Sequence, residues 1–365
     1  MKKRKLLFCA LLIALLFVGY AAATGGDSGD PLISLSYLQN VFAPSALRTA
    51  EQRLDDSDRR ITDAVLAPAG GSSAPVQGSA WAQRRYKQGD VITGYTGMQL
   101  LPLAGEVSVQ YAAGCAVDAT DGVELASGKT LRCNHRCLVA EDSTVQFTVV
   151  SKTAVIAAGG AYRLTSSSAP DCNAMASALK ALSLFRGTGV GIGEGFELEK
   201  APTRAEALVM LIRLLGEENA ALACTAPQPF GDVPDWAARY VAYAFEQGYS
   251  NGVGGGQFGT TMAASATMYV EFILRALGYS STAQTDISDA LSRARAAGIL
   301  TDGEQAYLQR TAFLRADVVY LSYYALESPL SDADRTLQQK LSSAGVFTAE
   351  AYRAARTLVT SARIA

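Results

Sequence analysis

The chain has 365 residues, 49% of them apolar and 18% charged, with 33 glycines and 11 prolines, and its 32 lysines and arginines nearly balance 34 aspartates and glutamates. That composition excludes a disordered chain, a collagen-like repeat and a strongly basic nucleic-acid-binding protein. At roughly 100–200 residues per domain it leaves room for two or three domains, each with its own core. A single histidine, His135, excludes sites that need two imidazoles and confines any Ser-His-Asp triad to one place.

Lys2, Lys3, Arg4 and Lys5 precede an apolar run from Leu6 to Tyr20, and Ala21, Ala22 and Ala23 supply a small-residue cleavage pattern, so residues 1–23 read as a signal peptide. The run is shorter than the roughly 20 residues a spanning helix needs. Cleavage leaves 28 basic residues against 34 acidic ones, a mildly acidic secreted chain with no stable transmembrane segment.

Residues 24–66 form an N-terminal helical segment: Leu47, Leu54 and Ile61 recur every seven residues between charged positions such as Glu51, Arg53 and Asp58. Two heptads are too few for a coiled coil, and one amphipathic helix packed on its own protein is expected. The Pro, Gly, Ser and Ala stretch that follows marks a linker at 67–80.

Residues 81–168 change to a period of two. Val107, Val109 and Tyr111 alternate with Glu106, Ser108 and Gln110, and Val145, Phe147 and Val149 do the same, with glycines at 94, 97, 105, 122 and 128 as punctuation. The pattern predicts a small all-β domain, a barrel or a sandwich. Asp118, Asp121, Glu124 and Glu141 read as solvated turn residues, so no acid pair for hydrolysis is assembled and no enzyme is expected. Five cysteines remain after the leader: Cys115, Cys133, Cys137, Cys172 and Cys224. Their odd number leaves at least one thiol unpaired. Cys133-Asn134-His135-Arg136-Cys137 lacks a fourth ligand and the usual zinc spacing, so a hairpin with buried or disulfide-bonded cysteines is expected, with no metal and no cofactor.

Residues 169–330 are helical and self-similar. Leu208, Leu211, Ile212, Leu215 and Gly216 align with Val270, Ile273, Leu274, Leu277 and Gly278, an amphipathic pattern closed by glycine. Arg213 and Arg275 coincide in that alignment, and Arg315-Ala316-Asp317 matches Arg204-Ala205-Glu206. An aromatic stands eight residues upstream each time: Phe196, Phe258 and Tyr307. Each copy therefore predicts helix, Gly-rich loop, aromatic, helix, with upstream helices that contain Ala178 to Phe185, Trp236 to Gln247 and Ile287 to Ala297. Residues 331–365 form a C-terminal helical extension. The fold class is α+β multidomain: N-terminal helix, small β-domain, then an all-α three-repeat domain.

These repeats resemble S-layer homology (SLH) domains of bacterial envelope proteins. The second copy carries Phe230-Gly231-Asp232-Val233, Trp236-Ala237, Tyr240-Val241, Gly248, Asn251-Gly252 and Phe258, and the first carries Thr203-Arg204-Ala205-Glu206. The resemblance implies a non-catalytic module with three repeats around a pseudo-three-fold axis. It also implies grooves that bind secondary cell-wall polysaccharide, the motif arginine pairing with a pyruvate ketal carboxylate. Independently, a planar guanidinium can hold a carboxylate in a bidentate fork, and a helix N-terminus favours an anion.

The candidate ligand-binding residues are Thr203, Arg204 and Glu206, then Arg315 and Asp317, and Trp236 as a stacking face for a sugar. Copy two has Ser265-Ala266-Thr267-Met268 in place of the motif, and copy three has Leu314-Arg315-Ala316-Asp317. The expected partner is secondary cell-wall polysaccharide and the expected location is the cell wall or S-layer. In the alternative, the repeats have lost glycan binding and recruit another envelope protein.

Overall fold

The computed structural model describes residues 79–188, 192–280 and 286–365. The leader, the segment at 24–66 and the linker up to residue 78 lie outside them. Antiparallel strands come first: β1 (Ser79–Lys87), β2 (Val91–Tyr95), β3 (Gln99–Ala104), β4 (Val107–Gln110), β5 (Ala116–Asp118), β6 (Val123–Glu124), β7 (Cys137–Val139), β8 (Thr144–Val149), β9 (Thr153–Gly160) and β10 (Tyr162–Thr165). One sheet runs β1-β9-β3-β7-β5-β6 and the other β10-β2-β8-β4. Both line a single apolar core, in which Val145, Phe147 and Val149 of β8 meet residues such as Leu100, Val139 and Ile156, so the pair is a sandwich. Alternation places Thr144 and Gln146 outward, as a half-solvated antiparallel strand requires. Strand β9 differs, being buried on both faces. Ala154, Ile156 and Ala158 face the sandwich core, while Val155 lies against Gly193 of the helical part, where a Cβ would come within 2.7 Å of its Cγ2.

The helical part comprises α1 (Cys172–Ala181), α2 (Arg204–Leu214), α3 (Glu218–Ala223), α4 (Asp235–Glu246), α5 (Ala266–Ala276), α6 (Ala290–Ala296), α7 (Asp302–Arg310) and α8 (Arg315–Ala325). A short ribbon, β11 (Pro329–Leu330) with β12 (Ala333–Thr336), leads to α9 (Leu337–Ser343) and α10 (Ala349–Thr357). The molecule thus combines helices with antiparallel sheets, an α+β protein. Helices α2, α5 and α8 begin at Arg204, Ala266 and Arg315, where the self-comparison aligned them. They form the centre: every residue of α8 and nine in α2 are buried, as expected of helices apolar on most sides.

The N-terminal N–H groups of these helices, which have no partner within the helix, are met by loops from elsewhere in the chain. Arg204 N donates to Met262 O at 2.7 Å, and Arg315 N to Lys200 O at 2.8 Å. Truncating a fully buried residue there, such as Leu208, is expected to cost about 2–5 kcal/mol.

Two expectations need correction. The first upstream helix, capped by the Asp171 carboxylate, which accepts from Ala174 N at 2.9 Å, ends at Ala181 and does not reach Phe185; Ser183 beyond it adopts a left-handed φ of 62°. In the third copy, Tyr307 stands inside helix α7 and not in a Gly-rich loop. Thr301 and Glu304 form a capping box that starts this helix.

The sandwich and the helices belong to one compact unit, Ala74–Ala365. Asn173 Nδ2 donates to Tyr86 O at 3.0 Å, the Arg85 guanidinium lies 4.4 Å from the Phe196 ring centre, and Lys152 reaches into the helices. Among the described residues no helix is long and apolar enough to cross a membrane.

Candidate functional site

Arg204 is the first residue of α2, and the turn that presents it is built by its neighbours. Thr203 caps the helix and Glu206 reaches back, its Oε2 accepting from Thr203 N at 2.8 Å. Thr203 and Glu206 therefore shape the helix start. Arg204, only 5% exposed, points the other way. Its Nη2 donates to Ser250 Oγ at 3.0 Å and to Gly252 O at 3.3 Å, and its guanidinium lies between the rings of Phe258 and Phe272, 5.1 and 5.0 Å from their centres. Its Nε is buried and has no hydrogen-bond acceptor among the described residues. Burial, helped by the nearby Arg275 and opposed by Asp232, pushes its pKa down to about 10, so it stays cationic at neutral pH.

This guanidinium lines a cavity of about 470 Å³, together with Ser250, Gly252, Met268, Glu271, Phe272 and Arg275. The loop behind it is fixed by Asp232, whose carboxylate accepts from the N–H groups of Phe258 (2.6 Å), Gly259 (2.7 Å) and Thr260 (3.1 Å). Burial alone would raise the Asp232 pKa, but these three bonds bring it below the ordinary range. Gly252, at φ 77°, admits no side chain, since a Cβ would lie 2.4 Å from the Phe230 ring.

Arg315 starts α8 in the same way but meets different neighbours. It is buried, its Nε donates to Phe196 O at 3.3 Å, and burial lowers its pKa against the opposing fields of Glu206 and Glu197. Acidic groups of the chain thus already accompany this cation. Asp317, two residues on, is enclosed: its carboxylate accepts from Lys152 Nζ at 2.5 and 2.7 Å and from Leu314 N at 2.7 Å. Lys152 also donates to Ala312 O at 2.7 Å, and burial raises the Asp317 pKa despite the ammonium.

Trp236 lies in the first turn of α4, is 55% exposed, and is not part of the Arg204 cavity lining. The structure therefore brings Thr203, Arg204 and Glu206 together, sets Arg315 near Glu206, and leaves Trp236 apart.

Sequence reading passed over Ser250, Phe272, Glu271 and Lys152. Arg275 gave a signal, its coincidence with Arg213, and Asp232 gave another within Phe230-Gly231-Asp232-Val233; Lys152 gave none.

In the sandwich, Asp118 is buried and not a solvated turn acid: it lies 2.8 Å from His135 Nδ1 and accepts from Thr120 N and Asp121 N. These contacts overcome burial and lower its pKa. Asp121 pairs with Arg132 at 2.5 Å and lies 3.7 Å from the same imidazole nitrogen. The ligand atoms of Asp118, Asp121 and His135 fall within 4.8 Å of one another. The five cysteines after the leader are free thiols, so Cys133 and Cys137 do not form the disulfide that was one expectation for them. Burial holds the Cys137 thiol up at about 12, which keeps it protonated and unreactive at neutral pH.

No family model matches the chain. Over 149 residues it is 30% identical to a cell surface protein of Thermoanaerobacter kivui, a match that takes in 40% of this chain and 19% of that protein. The chain thus spans about a fifth of the relative's length.

Proposed function

We propose that this is a non-enzymatic, exported protein of the cell envelope whose helical part holds an anionic cell-wall polysaccharide through Arg204. The observation that carries this reading is the Arg204 guanidinium: buried, cationic, facing a cavity of about 470 Å³ and, among the described residues, hydrogen-bonded only to neutral oxygens with Nε unsatisfied. A desolvated cation in that state gains from an anion able to accept a charge-assisted, bidentate pair. The likeness of Thr203-Arg204-Ala205-Glu206 and of the second copy to SLH domains supports polysaccharide, and a pyruvate-type carboxylate on it, as that anion. The basic and apolar leader supports export, and the partial match to a cell surface protein supports the envelope as the location.

The second reading, an interaction module without glycan, draws on the enclosure of Asp317 by Lys152 and the acidic company of Arg315. Co-sedimentation of the full chain with purified cell-wall sacculi, before and after their polysaccharide is stripped, separates the two. Retention that disappears with the polysaccharide supports glycan binding, and retention that persists supports a protein or peptidoglycan partner.

A further inference from the structure

The starts of α2 and α8 dock on a neighbouring copy through the same main-chain bonds. Arg204 N donates to Met262 O at 2.7 Å and Ala205 N to Thr260 O at 3.4 Å, both in copy two; Arg315 N donates to Lys200 O at 2.8 Å and Ala316 N to Leu198 O at 3.0 Å, both in copy one. Thr260 and Met262 are the counterparts of Leu198 and Lys200 in the self-alignment. Arg204 therefore faces α5 as Arg315 faces α2. The junctions differ at the third residue of the helix that is faced. In α2 it is Glu206, whose Oε2 accepts from Thr203 N at 2.8 Å and whose charge opposes the effect of burial on Arg315. In α5 it is Met268, which lines the Arg204 cavity, and Ser265 caps that helix with no acid reaching back. Glu271, also in the lining, is engaged by Arg275, Arg293 and Ser280 at 2.8, 2.6 and 2.7 Å. Asp232, whose field reaches Arg204, is bound to three backbone N–H groups. Among the described residues, Arg204 makes no hydrogen bond to a carboxylate.

We propose that Met268 is the specificity-determining residue that keeps the Arg204 site open to a carboxylate from outside the chain: the third position of the facing helix sets whether a motif arginine meets a ligand or an acid of its own chain. This rests on the reading of the Arg204 cavity given above. An acid at position 268 would be favoured by the start of α5 itself, since it could complete a capping box with Ser265 and meet the positive end of the helix. Methionine forgoes both, so its presence is not explained by the helix it starts. What it gives instead is a neutral, adaptable thioether edge to the cavity, suited to the non-ionic body of the ligand.

The test compares the full chain with Met268→Glu, Met268→Asp and Met268→Gln, each with and without Arg204→Ala, in co-sedimentation with purified sacculi and in thermal unfolding. Glutamine matches glutamate in length and can close a capping box, as Gln339 does in α9, so that pair of variants differs in charge. Aspartate, the acid of α8, serves if the glutamate variant folds poorly. Retention is expected to be about tenfold weaker for Met268→Glu than for Met268→Gln, with a Tm advantage of glutamate over glutamine that falls once Arg204 is alanine. Equal retention by the folded acidic and glutamine variants, when Arg204→Ala has lost it, overturns the role of Met268 and leaves the Arg204 reading intact. A Tm advantage of the same size in both backgrounds means that the acid only caps α5, and overturns that role as well. Wild-type retention by Arg204→Ala overturns the Arg204 reading, and the role of Met268 with it.

Discussion

Arg204 and Arg315 each open an eleven-residue central helix, each is buried, and each is followed by Ala and an acid, yet their surroundings differ. Around Arg204 the partners are a serine hydroxyl, a carbonyl, two aromatic faces and the field of Asp232, whose carboxylate is held by three backbone N–H groups, and a cavity remains; around Arg315 they are a carbonyl and the fields of Glu197 and Glu206. The same local motif therefore places a cation without deciding whether it is free to bind. That is decided by residues from other copies: Glu206, three positions into α2, serves Arg315, while its counterpart beside Arg204 is Met268.

If the Asp317 side is closed by the chain itself, breaking the closure costs stability and not binding. Lys152→Met strands a buried carboxylate and is expected to cost about 3–5 kcal/mol, lowering Tm by on the order of 10 °C. Lys152→Met with Asp317→Asn recovers much of the loss, and thermal denaturation measures both. A smaller effect follows at the loop that backs Arg204. Asp232→Ala leaves three N–H groups without their acceptor and is expected to cost about 1–3 kcal/mol by urea unfolding. The Asp232 pKa is lowered in the folded state, so its contribution is present above the unfolded carboxylate pKa of about 4 and is lost as pH falls through the folded value. The stability difference between wild type and Asp232→Ala should therefore shrink in acid.

Smaller still is the expected effect of pH on retention by sacculi. The Arg204 pKa is pushed down to about 10, so the cation persists and retention is level between about pH 6 and 8. Co-sedimentation across that range, with a circular dichroism check of the fold, measures it.

Much of the fold was legible because burial imposes periodicity. Val145, Phe147 and Val149 alternate since one face of β8 meets a core, and Leu208, Leu211, Ile212 and Leu215 repeat since α2 lies at the centre. Helix α7 was missed although Thr301 and Glu304 spell its capping box, because Tyr307 was assigned by analogy to Phe196 and Phe258. Arg204 was legible as a candidate from its motif. Its availability was not, since it depends on Ser250, Phe258 and Phe272, distant in sequence. The pairing of Lys152 with Asp317, 165 residues apart, left no local trace at all, for neither residue breaks the pattern of its own element.

The most direct measurement sets Arg204→Ala beside Arg315→Ala in sacculus co-sedimentation, with thermal unfolding showing that both fold. Charge-assisted hydrogen bonds contribute roughly 1.5–3 kcal/mol each, so losing the Arg204 pair weakens retention about tenfold or more, while Arg315→Ala, whose charge is already accompanied, retains the wild-type level. Equal retention by wild type and a folded Arg204→Ala would contradict the account.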